Sequence, residues 1–569
     1  MTSKSSIRPY LNQAYLLGLL MVAVGLTLSP FLMGMSQFWL AIVWLVDAFT
    51  PPFKWAGGIK TKLSRFWHNK AAVLLVAFFL MHVVGLLWTS DFQYALKDLR
   101  VKLPILVMPF VLSSMESLDR KRFNIVMLVY VLSVFIATQF SFVFYMRHDY
   151  EDIREISHFI SHIRFCLNIV FCIAIIGWYL YHRGVSKGST TPSKQATELA
   201  VPEAHRRVEG SSQVKNPVPA FSVKTSIDRF LQWFLLLWFI YQIYIFESLS
   251  GYVILAAVVI ASAVYAFLQW KKGRGWRIAI GLFAVGAIAA IVAVVMSFAK
   301  PFIEVKPVDF TTLEKKTAQG NYYWHDTVCF PVEDGKYVGL YFNRNELREA
   351  WSMRSDIPLE GTTTNGENLE TTLARYLTSK DLRKDAEGVM ALTDEDIHNI
   401  EQGVANYNNW KHPGLRARLS STLFEYNLYR RYNNPNGGSL SQRIEFTRAS
   451  FHIIGQHPWF GVGTGDVPQA FAQTYDEIHS PLKEEFRFRA HNQYLAIAVA
   501  FGLVGLAFFV FVLLYPWLSS KRNHTYLYMV FLTIMMLSMF PEDTLETQAG
   551  ATLFAFFVSL LLFAKPKSV

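Results

Sequence analysis

Near the end of a long polar stretch the chain reads Phe486-Arg487-Phe488-Arg489-Ala490-His491-Asn492-Gln493-Tyr494-Leu495, and there it enters an apolar run of membrane-crossing length. A titratable imidazole beside two arginines at the mouth of a membrane helix suits proton transfer at a bilayer surface, next to a negatively charged substrate. The positive end of the helix dipole and the neighbouring Arg489 both disfavour imidazolium, so His491 is expected to stay neutral near pH 7. A neutral ring can accept a proton, the commonest role of histidine as a general base, with Asn492 beside it in support. The plainer alternative is an interfacial histidine with no chemical role.

Arginines supply the complementary half of such a site. Guanidinium groups hold phosphate oxygens in bidentate pairs and keep their charge, so Arg443, within Ser441-Gln442-Arg443-Ile444-Glu445-Phe446-Thr447-Arg448, and Arg489 are candidates to clamp a diphosphate. Arg164, within Ser157-His158-Phe159-Ile160-Ser161-His162-Ile163-Arg164-Phe165, enters a span from the same side. A boundary arginine is costly without a partner, which either a lipid-linked pyrophosphate or a headgroup reached by snorkelling would supply. Gly461-Val462-Gly463-Thr464-Gly465 lacks both a preceding buried strand and the lysine of a nucleotide loop. It reads as a tight turn, with anion-binding backbone amides as a lesser alternative. No metal-ligand spacing is visible. Cys166 and Cys172 share one apolar run and Cys329 stands apart, so no disulfide framework is expected.

The elements that must position these groups are mostly membrane helices. With 52% hydrophobic and 15% aromatic residues over 569 positions, the chain is too apolar for an ordinary soluble protein. Apolar runs able to cross about 30 Å of hydrocarbon fall near 11–29, 31–49, 71–89, 101–115, 123–146, 163–182, 229–247, 249–269, 276–298, 493–517, 525–540 and 548–565, the fourth being the shortest. No small-residue cleavage site follows the first run, so it is expected to remain as a helix.

Lysine and arginine gather in one set of loops: Lys54 to Lys70, Arg120 to Arg122, Lys271 to Arg277, and later Lys521, Arg522, Lys565 and Lys567. The opposite loops carry the acidic turns Asp149-Tyr150-Glu151-Asp152 and Pro541-Glu542-Asp543-Thr544-Leu545-Glu546. Because cationic loops stay cytoplasmic, both termini are expected inside and the segment from about 300 to 490 outside. The net charge of +11 is then a topology signal and calls for no nucleic acid.

The expected architecture is an all-α polytopic membrane protein of about 12 transmembrane helices with one long external loop domain. Helices 1–6 occupy residues 1–182, a flexible cytoplasmic linker 183–228, helices 7–9 residues 229–299, the loop domain 300–490 and helices 10–12 residues 491–569. The linker is rich in Ser, Thr, Pro, Lys and Gln and has little to bury. The loop domain opens with strand-like runs at 327–330 and 337–342 about a hairpin turn, Glu333-Asp334-Gly335-Lys336. From Arg344 to His479 the pattern is helical, with Thr393 as an N-cap before Asp394-Glu395-Asp396. Aromatic groups at Tyr426–Tyr432 and Pro458-Trp459-Phe460 either stack on sugar rings or pack the domain.

Taken together, Ser441-Gln442-Arg443, Gln456-His457-Pro458-Trp459-Phe460-Gly461-Val462-Gly463, Ala490-His491-Asn492-Gln493-Tyr494-Leu495 and Phe501-Gly502-Leu503-Val504-Gly505-Leu506 resemble the O-antigen ligase and polymerase superfamily of bacterial glycosyltransferases, specifically its ligase-like branch. The resemblance implies about twelve spans, a late periplasmic loop and a place in the inner membrane. It also implies transfer of a glycan from undecaprenyl diphosphate to an acceptor hydroxyl such as lipid A–core, by inversion, with no metal, nucleotide or other cofactor. His491 then matches the catalytic histidine and Arg443 the arginine that contacts the diphosphate. One departure stands out: many members carry Ser-Arg where this chain has Ser248-Leu249-Ser250-Gly251-Tyr252, so Arg164 or Arg489 must substitute. A polymerase, or a protein O-oligosaccharyltransferase using the same donor, remains open. So do a transporter, against which the lack of internal repeats speaks, and a non-catalytic assembly protein.

Overall fold

The computed structural model describes residues 7–50, 55–147, 153–188 and 227–269, scattered positions between 275 and 305, and the chain onward to 566 apart from 306, 329, 437 and 521–524. The linker beyond Gly188, Cys329, the acidic turn at 149–152 and several of the basic loop residues lie outside the described residues.

Helices α1 (Arg8–Leu28), α2 (Pro30–Phe49), α4 (Lys70–Val84), α5 (Phe92–Ser114), α6 (Arg120–Arg147), α7 (His162–Gly188), α8 (Ile227–Ile245) and α9 (Leu249–Gln269) form most of one bundle. The short α3 (Trp55–His68) lies beside them. The turns are made by local chemistry: Ser29 separates α1 from α2 and accepts the Leu32 amide, with Pro30 at the first helical position, where its missing N–H costs nothing. Leu19, Phe78, Tyr130, Phe171, Phe531 and Phe557 belong to a single apolar core that the helices share.

Six helices are long and apolar enough to cross a membrane, and four shorter apolar helices accompany them. Among the described residues, the expectation of twelve spans is met to that extent only. The expected segment 101–115 lies within α5, which carries Lys97, Asp98, Arg100 and Lys102 and is interrupted by Pro104 and Pro109. The segment 276–298 falls largely outside the described residues.

The polar segment after position 300 divides in two. Residues 316–411 close around a core of their own, with Val338, Phe342, Trp351, Leu373, Tyr376 and Ile400 buried. Its helices are α10 (Arg344–Ser352), α11 (Leu369–Ser379), α12 (Ala386–Met390), α13 (Asp394–Glu401) and α14 (Tyr407–Lys411). Thr393 caps α13 in a reciprocal capping box with Asp396, as the sequence suggests. The hairpin turn forms where expected, but its strands are only Val332–Glu333 and Lys336–Tyr337. Asp334 and Gly335 both take positive φ (49° and 73°), the geometry of a two-residue hairpin loop, and this fixes the register so that 327–330 takes no part.

The second part comprises α15 (Leu415–Tyr432), α16 (Ser439–Gln456) and α17 (Val467–Glu477), which lead into α18 (Gln493–Ser519), α19 (Tyr526–Ser538) and α20 (Gln548–Ser559). A small core of Phe446, Ile453, Phe471, Tyr475, Ala490 and Val499 joins α16 and α17 to the start of α18. Gly502 breaks α18 with φ 66° and ψ −168°. The backbone groups freed by the break pair with the glycine loop: Val462 and Gly463 donate to the carbonyls of Val499 and Ala500, and Leu503 donates to that of Pro458. Interrupted helices inside membrane proteins require such internal partners. Gly461 has no room for a side chain there, since a Cβ would lie 2.4 Å from the Val499 carbonyl oxygen. With the Val462 and Gly463 amides already donated, the loop is a helix-docking turn, and the anion-cradle alternative falls.

Candidate functional site

His491 is the residue before the N-cap of α18 and adopts a left-handed φ of 44°. A non-glycine residue in that region is strained and persists where the surroundings hold it. Asn492 does the holding: its side-chain oxygen caps α18 by accepting the Leu495 amide at 3.0 Å, and its amide donates to the Phe540 carbonyl at 2.9 Å. The imidazole stacks on Phe446 of α16, ring centroids 5.3 Å apart, and meets Phe488 edge-on at 6.1 Å. Its Nδ1 is buried without a hydrogen-bond partner among the described residues.

What faces the ring is the acidic turn at 541–546, which the sequence offers only as a marker of topology. A ring nitrogen of His491 and carboxylate oxygens of Glu542 and Asp543 all lie within 4.8 Å of one another. Each carboxylate is also engaged by a predicted site arginine. Arg443 Nη2 donates to Glu542 at 3.0 Å, and Arg489 Nε lies 2.6 Å from Asp543 Oδ2. Arg489 further reaches Glu546 at 3.5 Å, and Glu546 in turn pairs with Lys102 of α5 at 2.7 Å and accepts from Gln493 at 3.0 Å.

Burial works to raise the Glu546 carboxyl, but Lys102 and Arg489 outweigh it and hold the group well below the usual carboxylate range. Burial works to lower Arg489, and Asp543 and Glu546 overturn that, keeping it fully charged. The three donors His491, Glu542 and Asp543 are a group that sequence spacing could not reveal. Arg443 and Arg489 already engage the two carboxylates, so the group reads as a base set among ion pairs.

Arg164, at the start of α7, lies close enough to Glu542 and Asp543 to feel their charge. It makes a single side-chain hydrogen bond, to Ser161 at 3.0 Å, and its Nε is buried without a partner among the described residues. Position 251, where the resembling family's second arginine is absent, packs on the same stretch of α7: a Cβ on Gly251 would sit 3.4 Å from that of Cys166. Arg443, Arg489, Arg164, His491 and Asn492 therefore converge. Arg487 does not join them, since it turns outward to Asp476 at 2.7 Å and to the Leu482 carbonyl.

Sequence reasoning missed Glu542, Asp543, Glu546, Gln493 and Lys102. Two signals were present: three carboxylates packed into one short turn beside a span, and a lysine inside an expected span, where an ionisable group demands a partner. Trp459 and Phe460 are 64% and 65% exposed, so they do not pack the domain.

A mostly helical membrane protein with a histidine and three arginines gathered on an acidic turn is the class these observations define. Residues 394–510 match the family model described as O-antigen ligase, which supports a place in the O-antigen ligase superfamily. The matched stretch includes Arg443, the glycine loop, Arg489 and His491, and it supports a ligase- or polymerase-type function in general terms. No curated protein matches the chain.

Proposed function

We propose that this protein transfers a glycan from undecaprenyl diphosphate to an acceptor sugar hydroxyl, with lipid A–core as the acceptor, at the periplasmic face of the inner membrane. The observation that carries the reading is the single cluster in which His491, its buried Nδ1 unpartnered, meets Arg443, Arg489 and the acidic turn. In this mechanism the acceptor O–H bond breaks, its proton goes to His491, and the oxygen attacks the anomeric carbon. The bond from that carbon to the diphosphate breaks, and its electron pair leaves with the lipid diphosphate. Glu542 and Asp543 are close enough to stabilise the imidazolium as it forms, in the way a carboxylate supports a catalytic histidine.

Arg164, which has no carboxylate within ion-pair distance among the described residues, takes the first phosphate contact, substituting for the arginine missing near Gly251. Arg443 and Arg489 follow by turning N–H groups not committed to Glu542 and Asp543 toward the donor's phosphate oxygens. Such fixed cationic groups lower the barrier where charge develops. The donor is already activated, so no nucleotide is consumed. The test is the purified protein in detergent with a lipid-diphosphate glycan and lipid A–core, run beside His491→Ala. Glycan on lipid A–core that depends on His491 is the expected product. A lengthened lipid-linked glycan would make the protein a polymerase, and unchanged transfer by His491→Ala would remove the general base.

A further inference from the structure

The far end of the bundle holds a second polar site that glycan transfer does not use. α5 connects the two: midway along it Lys102 pairs with Glu546, and just past its end Met115 and Glu116 line a cleft about 20 Å away at 1.5 Å per residue. This cleft has a volume of about 40 Å³ and is bounded by α1, α2 and α3. Arg8, Asn12 and Tyr15 line it from α1, and Lys62 and Arg65 from α3.

Lys62 is 6% exposed and is balanced within the protein, 2.6 Å from Asp47 and over the ring of Trp44. Arg8, Lys62 and Arg65 against Asp47 and the exposed Glu116 give the lining a net positive formal charge, so the cleft favours an anion. Tyr15 supplies the independent observation. It is 3% exposed and lines the cleft, yet its hydroxyl makes no hydrogen bond among the described residues. A buried hydroxyl without a partner is unfavourable, and a ligand oxygen accepting from it would remove that cost. Tyr10 and Trp67, 70% and 64% exposed on the same two helices, are the ring types that settle at headgroup level.

We infer that this cleft binds the phosphate of an anionic phospholipid headgroup. Arg8, Arg65 and the Tyr15 hydroxyl donate to its oxygens, and the Asn12 amide is placed beside them. Basic pockets between membrane helices recognise lipid phosphates by this chemistry. The inference stands whether or not the transfer reaction does.

Native mass spectrometry of the detergent-purified full chain tests it, with phosphatidylglycerol, phosphatidylcholine and inorganic phosphate as separate probes. Phosphatidylglycerol should be retained in preference to phosphatidylcholine. Its retention should fall about tenfold or more in Arg8→Gln/Arg65→Gln, two cations being lost, and about fivefold in Tyr15→Phe, which removes one hydrogen bond and leaves the packing intact. Equal retention of the two lipids, or undiminished retention by Tyr15→Phe, overturns the proposal. Inorganic phosphate bound as tightly as the lipid, with the same sensitivity to Tyr15→Phe, overturns the lipid as the source.

Discussion

The subdomain at 316–411 and the cluster around His491 both bury several charges, but they satisfy them differently. In the subdomain the buried carboxylates find local partners: Glu333 takes Arg375 and Asn406, Glu346 takes Thr317 and Asn321, and Asp396 takes Lys380, Tyr376 and the Thr393 amide. At the His491 cluster the carboxylates of one short turn are held by α16, α5, the strand of chain before α18 and α18 itself, while an imidazole is left over. Charges paired within one folding unit fix that unit. Charges paired between units, with an unpaired base at the centre, leave groups that can exchange partners with a substrate.

If that contrast is sound, His491→Ala should reduce transfer by about 10²–10⁴-fold, the contribution of a positioned general base, while donor binding persists. Product gels and donor titration measure the two separately. Glu546→Gln should act on stability, because it leaves Lys102 and Arg489 buried with less compensation, at a cost of about 3–5 kcal/mol by thermal unfolding. The pH dependence has a definite sign. Glu546 is held below its ordinary value, so its contribution is complete above about pH 4.3 and fades as the pH falls further through the lowered folded value. The loss caused by Glu546→Gln should therefore be the same at pH 5 and pH 8.

Arg443→Lys keeps the charge but loses the planar fork, and should weaken donor use about 10-fold to 100-fold in kcat/KM, as expected for a charge-assisted hydrogen bond. Unchanged donor use would remove Arg443 from the clamp. The smallest effect belongs to the subdomain. Burial pushes Lys384 down to about 7, with Lys336 adding to the shift, so folding disfavours its charged form. Lys384→Met should stabilise the subdomain by about 1–3 kcal/mol, followed by hydrogen exchange in the full chain. That gain should be fullest below pH 7 and vanish towards pH 10, because only between those values do the folded and unfolded lysines differ in protonation.

The candidate residues of the site were visible in the sequence where residue type alone marks them. His491 and Asn492 announce themselves at a helix entry, Arg164 is costly at a membrane boundary without a partner, and Arg443 and Arg489 stand out as candidate phosphate clamps. The geometry that joins them was not legible, because Glu542 and Asp543 reach His491 only after α18 and α19 have folded back on each other. The same holds for Arg487 and Arg489: strand-like alternation near a helix start does not say which of two arginines turns inward. In the fold, apolar runs located helices well, whereas α5 was misjudged because a charged helix with two prolines can be buried once Glu546 and Asp98 neutralise Lys102.

The break at Gly502 bears on how the protein is made. Residues 493–501 rise only about 13 Å, and the peptide groups on either side of the break are completed by residues 458–463. Those residues precede α18 in the chain, so during synthesis the loop leaves the ribosome before the helix whose open hydrogen bonds it closes. The helix and the segment before it therefore complete one hydrogen-bonded unit, and a protein cut between 463 and 493 would have to bring that loop back to the helix as a separate piece.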